Sequence, residues 1–195
     1  MADAMQADYS GENERFTYAD YLEWEGPERY QLLNGKAFLM ASPSVEHQAM
    51  LMELLLQFHA FLRGKPCRVF AVPLDVRPFP AEDNSDDTVV QPDLLVVCDR
   101  DRLGKGSVNG PPDLAIEIVS PSNSHRELFA KLQIYLEAGV REYWVIEPEE
   151  RRVMVHIYED GHYLSYSYKG NAVIPVTILP GLSVALESIF SETPA

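Results

Sequence analysis

The sequence predicts an α/β fold, a mixed β-sheet flanked by helices with a β-hairpin near each end. Three observations predict it. Short apolar runs beside prolines, "QPDLLVV" and "PPDLAIEIVSPSN", have the length and composition of strands buried on both faces. Two longer stretches, "SPSVEHQAMLMELLLQFHAFLRG" and "SNSHRELFAKLQIYLEAGV", repeat apolar residues at helical spacing and meet a glycine. Two alternating segments turn on Asn34-Gly35 and Asp160-Gly161, pairs that accept the positive dihedrals of a tight turn.

Taken in order, residues 1–15 read as a loose tail, 16–190 as one domain and 191–195 as a second tail. "FTYADYLEW" is a short helix, because the Thr17 hydroxyl can cap a free amide of its first turn. "RYQLLNGKAFLM" is the first hairpin. The long helix follows, with Ser42 or Ser44 as cap, Pro43 tolerated at the entrance and Gly64 as stop. "CRVFAVPLDVRPF" and "TVVQPDLLVVCD" are strands separated by a solvated acidic loop, "PAEDNSDD", and "DRLGKGSVNGPP" is a flexible, flap-like loop. "PPDLAIEIVSPSN" is a buried strand, Gly139 ends the second helix, "REYWVIEP" is a strand, and "RRVMVHIYEDGHYLSYSY" is the second hairpin.

The chain carries 30 acidic against 16 basic residues, a formal charge of -14. Such a surface repels a polyanion at long range, so nucleic-acid binding here needs a local basic groove, metal ions, or a substrate other than long duplex DNA. Only Cys67 and Cys98 occur, far apart and without zinc spacing, so no disulfide framework and no structural metal site are expected, and a reducing cytoplasm fits. No apolar stretch approaches the roughly 20 residues of a membrane helix, and "MADAMQADYSGENER" has neither the basic start nor the apolar middle of a signal peptide.

Glu117 stands among Leu114, Ala115, Ile116, Ile118 and Val119. An ionised carboxylate inside an apolar strand is costly unless a metal, a cation or hydrogen bonds compensate it. Alternation places Asp113, Ala115, Glu117 and Val119 on one strand face. The residue has two readings, an arginine-paired structural carboxylate or half of a metal site. Asp93 opens the other apolar run; a Pro-Asp pair is ordinarily a turn, but two carboxylates at the edge of two adjacent strands suit a hard divalent cation. Lys131 shares a helix face with Leu128 and Tyr135, either snorkelling past the apolar stripe or serving the site. A serine triad is disfavoured, because Ser120, Ser122 and His125 are too close in sequence and no Gly-x-Ser-x-Gly elbow occurs.

The ordered series "YQLLNGKAFLMASPSVEHQ", "VQPDLLVV", "PPDLAIEIVSPSN", Lys131, "YLEAGVREYWVIEP" and "LPGL" resembles the Uma-two (Uma2) family of endonucleases, a branch of the restriction-endonuclease-like PD-(D/E)XK superfamily, from about Phe16 to Phe190. The resemblance implies a restriction-endonuclease-like fold, with Asp93 as the aspartate of the PD signature and Glu117 as the acidic residue of the next strand. The superfamily's usual lysine position is Val119 here, and in this branch the lysine lies on the following helix, which matches Lys131. Asp93, Glu117 and the Ile118 backbone carbonyl would hold Mg²⁺, with Mn²⁺ as substitute, for hydrolysis of DNA phosphodiester bonds. Gln31 and Asn34 stand where relatives often carry glutamate and aspartate, which points to one metal rather than two. His47 matches a family histidine that either touches substrate or packs and caps. Relatives are often dimers, and unpaired hairpin edges suit a homodimer. Two rival readings remain: a non-catalytic binding or assembly module on the same fold, and a metal-dependent hydrolase of a small phosphorylated or nucleotide substrate.

Overall fold

The computed structural model describes residues 15–120 and 125–191; of the two expected tails, 1–14 and 192–195 lie outside the described residues, as does Ser122. Helix α1 (Tyr18–Leu22) starts at Thr17, whose side chain accepts from the Asp20 amide while Asp20 answers on the Thr17 amide, so two orphan donors are satisfied together. Strands β1 (Tyr30–Leu33) and β2 (Lys36–Leu39) form the first hairpin. Its turn residues have φ of 50° at Asn34 and 76° at Gly35, the left-handed pair the sequence requires. Helix α2 (Val45–Leu62) takes Ser44 as its cap and buries Met50, Leu51, Leu54, Phe58 and Leu62.

The central sheet adds β3 (Arg68–Ala71), β5 (Leu94–Val97), β7 (Leu114–Ile118), β8 (Glu142–Glu147), β9 (Arg152–Glu159) and β10 (His162–Lys169), with β4 (Asp75–Arg77) and β6 (Ser107–Asn109) as a small parallel pair beside it. Its order is β10-β9-β8-β7-β5-β3, and only β7 with β8 is parallel. Parallel strands need a crossover, and α3 (His125–Glu137) supplies it. Strands β11 (Val173–Pro175) and β12 (Ser183–Ala185) and helix α4 (Leu186–Ser191) complete the chain.

The alternation read for β7 decides the layers. Leu114, Ile116 and Ile118 join a core with α2 and α4 on one face, while Ala115 joins Ile134, Tyr135 and Tyr143 on the face covered by α3. Glu117 therefore points toward α3.

Four expectations are corrected. "CRVFAVPLDVRPF" is two strands in two sheets, because the chain turns at Val72-Pro73 between β3 and β4. The acidic loop is not wholly solvated, since Asp86 is buried and receives hydrogen bonds from the Arg77 guanidinium. "DRLGKGSVNGPP" is no flap, because it starts inside a 3-10 turn (Arg100–Arg102) and contains β6, which pairs with β4 and whose Val108 is buried. Finally, Cys67 and Cys98 are joined in a disulfide. Register explains it, since Arg68 pairs with Val97 and the next step outward sets the two cysteines opposite each other. The inference from unpaired thiols to a reducing compartment falls with it.

Candidate active site

Strand register brings the first two residues together. β5 and β7 are antiparallel with Leu94 opposite Ile116, so one step beyond the last pair Asp93 lies opposite Glu117. The Asp93 Oδ2 accepts the Ile118 amide at 2.7 Å, which ties the end of the apolar run to the neighbouring strand. Asp93 is thus part of the sheet's hydrogen bonding rather than a free turn.

Helix α3 brings the third. Lys131 is 3% exposed and donates from Nζ to Glu117 Oε2 at 2.9 Å, while the Tyr135 hydroxyl donates to Glu117 Oε1 at 2.9 Å. The lysine does not snorkel; its ammonium is buried. Burial, with the charge of Asp93, pushes Glu117 up to about 7 although Lys131 and Tyr135 oppose the shift. Burial and then the Glu117 charge hold Tyr135 well above the usual phenol range, so its hydroxyl remains a donor.

His47 reaches the same point from the first turn of α2, with Nε2 at 3.2 Å from Asp93 Oδ2. Burial alone would lower the ring, but the hydrogen bond and charge of Asp93, with Glu117 and the Ile118 backbone, raise it. Among the described residues His47 Nδ1 is buried without a partner.

Gln31, 1% exposed on β1, donates from Nε2 to Glu127 Oε1 at 2.6 Å, and its own Oε1 is buried without a partner among the described residues. Glu127 was not expected. Its signal was available, because it precedes Lys131 by four residues and so shares that helix face. Gln31, His47, Asp93, Glu117, Glu127 and Lys131 all line one pocket at the ends of β5 and β7, where the first turns of α2 and α3 converge. Asn34 is elsewhere, with its backbone amide donating to the Thr88 hydroxyl.

The donor chemistry fits one hard cation. Two carboxylates and a peptide carbonyl are oxygen ligands of the kind Mg²⁺ takes, and Mg²⁺ keeps waters for its remaining positions. Among the described residues no three His, Cys, Asp or Glu side chains group so as to hold a metal ion by themselves. Lys131 on Glu117 supplies cationic charge near these carboxylates, and His47 on Asp93 adds to it when protonated.

Residues 18–187 match the family model Uma2, described as "Putative restriction endonuclease". A curated relative from Synechocystis sp., "Uncharacterized protein slr1290", is 24% identical over 176 residues, covering 88% of this chain and 89% of its own. A crystal structure described as "a putative nuclease" from Anabaena variabilis superposes with a TM-score of 0.74 at 22% identity, over 90% of this chain and 98% of that one. At that identity the likeness is one of fold.

Proposed function

The chain belongs to the Uma2 family, and from that premise we propose that it is a Mg²⁺-dependent endonuclease that hydrolyses phosphodiester bonds in DNA. The observation that carries the reading is the cross-strand pair Asp93 and Glu117 with Lys131 bound to Glu117, all lining one pocket. Asp93, Glu117 and the Ile118 carbonyl would hold the cation. When bound, it polarises a phosphoryl oxygen and lowers the pKa of a water.

The protein's own groups do the rest. Lys131, whose position is fixed by α3, holds the attacking water and offsets charge developing at phosphorus. His47 keeps the Asp93 carboxylate oriented. The water oxygen bonds to phosphorus, the bond from phosphorus to the 3′ oxygen breaks, and the water's proton is lost as the leaving oxygen gains one. A free 3′ hydroxyl and a 5′ phosphate result. The active form is a homodimer paired through an exposed sheet edge, for which the eight-residue outer strand β10 is the longest candidate.

A non-catalytic binding module is the second reading, favoured by one observation: both Glu117 oxygens already accept hydrogen bonds from the protein. A cleavage screen with Mg²⁺ and Mn²⁺ on single-stranded, duplex and branched DNA decides between the two, with Glu117→Gln as control. Cleavage lost in the control supports the nuclease; no cleavage with retained metal-dependent binding supports the module.

A further inference from the structure

We propose that Arg29 anchors a second phosphate of the strand held at the metal site, which makes the substrate an oligonucleotide rather than a small phosphate ester; the inference rests on the nuclease reading above. Two basic or imidazole side chains besides Arg29 line this pocket. Lys131 is paired with Glu117 and His47 with Asp93, so both are engaged by the carboxylates. Arg29 lines the same pocket from its exposed rim.

Its guanidinium is aimed by a part-buried chain of hydrogen bonds. Arg29 Nη2 donates to Gln91 Oε1, and Met40 Sδ lies 3.9 Å from the same nitrogen. Gln91 is 6% exposed and cannot swing, because its Nε2 donates to Asp75 Oδ1 at 2.7 Å and to the Tyr21 hydroxyl at 3.1 Å. Tyr21 in turn donates to Asp75 Oδ1 at 3.1 Å, closing a triangle. A guanidinium carries five N–H donors, and among the described residues only Nη2 of Arg29 is engaged, which leaves most of the fork for an anion.

The placement suits a neighbouring phosphate. Gln91 precedes Asp93 by two residues, so their Cα atoms are at most about 7 Å apart, and the arginine tied to one stands close to the metal ligand at the other. In a chain of charge -14 this contact supplies the local cation that a polyanion needs on approach. A nucleoside monophosphate held at Asp93 and Glu117 has no second phosphate to offer it.

The test measures binding of a short single-stranded oligonucleotide in Mn²⁺, with a series carrying one neutral methylphosphonate at each position, against wild type, Arg29→Ala, Arg29→Lys and Gln91→Leu. Arg29→Ala is expected to weaken binding about tenfold or more and to reduce the salt slope by about one. One methylphosphonate position should cost the wild type as much and cost Arg29→Ala nothing. Lysine should recover part of the loss, and Gln91→Leu should fall between, with melting temperature unchanged in Arg29→Ala. Equal methylphosphonate penalties in wild type and Arg29→Ala at every position, or no binding by wild type, overturn the proposal. Cleavage of the same oligonucleotides separates the two ideas. Arg29-dependent binding without cleavage sinks the hydrolase and keeps the anchor, whereas cleavage indifferent to Arg29 sinks the anchor alone.

Discussion

Lys131 Nζ stands 2.9 Å from Glu117 Oε2, in a buried ion pair that joins the crossover helix to the central strand. The pair has two consequences that separate a catalytic lysine from a structural one. Lys131→Ala should abolish hydrolysis while Mn²⁺ affinity is kept or tightened, since the ammonium and the cation compete for the same carboxylate. Removing one partner of a buried pair costs about 3–5 kcal/mol. Glu117 can escape part of that cost by taking a proton, so the loss in melting temperature should be smaller at acidic than at neutral pH. Lys131→Arg should not restore turnover, because a planar fork cannot replace a compact ammonium in a closed site. Full activity in both variants would remove the lysine from the mechanism.

Asp93→Asn and Glu117→Gln should each weaken Mn²⁺ binding by about tenfold or more, measured by calorimetry, while the fold is retained. The two differ in one respect. Asp93 also accepts the Ile118 amide, a bond that the asparagine carbonyl can keep, so neither variant should unfold at room temperature. Metal binding equal to wild type in both would sink the site.

The pH dependence of the metal-free protein follows from Glu117 and His47. Glu117 is raised by burial from about 4.5 to about 7, so the folded state holds a proton that the unfolded state has lost between those values. His47 is raised as well, through Asp93 against the effect of burial. Both contributions are fully present at low pH and are lost as pH rises through the folded-state values. The melting temperature should therefore fall between pH 5 and 8, and Mn²⁺, which requires the ionised carboxylate, should bind more tightly over the same interval and restore it. A melting temperature that rises across this window without metal would contradict the assignment.

Gln31→Glu should change the metal requirement. The Gln31 amide nitrogen lies 2.6 Å from Glu127 Oε1, and a second carboxylate there must either share a proton or take up a cation. The variant should be less stable than wild type in EDTA and gain more from added Mn²⁺. An identical response in the two proteins would show that this corner of the pocket does not face the cation.

Reduction should destabilise the fold without altering the site. The disulfide closes a loop of 31 residues, for which the chain-entropy relation gives roughly 3–4 kcal/mol. Dithiothreitol, or Cys67→Ser with Cys98→Ser, should lower the melting temperature and leave Mn²⁺ affinity unchanged.

Much of this site was legible because it obeys local periodicity. Glu117 shows itself as a charge in an apolar run, Lys131 as a cation on a helix face with Tyr135, and Thr17 and Asn34-Gly35 as a cap and a turn. What stayed hidden depends on register or on distant partners. Cys67 meets Cys98 only because β3 pairs with β5. Gln31 finds Glu127 from 96 residues away. Glu142 reads as a polar residue opening a strand, yet it is fully buried, accepting from the Trp144 indole at 2.8 Å and the Ile178 amide at 2.9 Å and so pinning the C-terminal segment. "DRLGKGSVNGPP" has a loop's composition, but the parallel pairing of β6 with β4 holds it in place.

The parallel pairing of β7 with β8 also sets a timetable during synthesis. Asp93 and Glu117 leave the ribosome before Lys131, and the helix carrying Lys131 gains its seat only when Glu142–Glu147 emerges to pair beside Leu114–Ile118. A nascent chain that has made its carboxylates but not that strand carries an incomplete pocket. The pocket is thus completed late in translation, after about three quarters of the polypeptide exists, and on the proposed reading an unfinished chain would leave nucleic acid in its surroundings uncut.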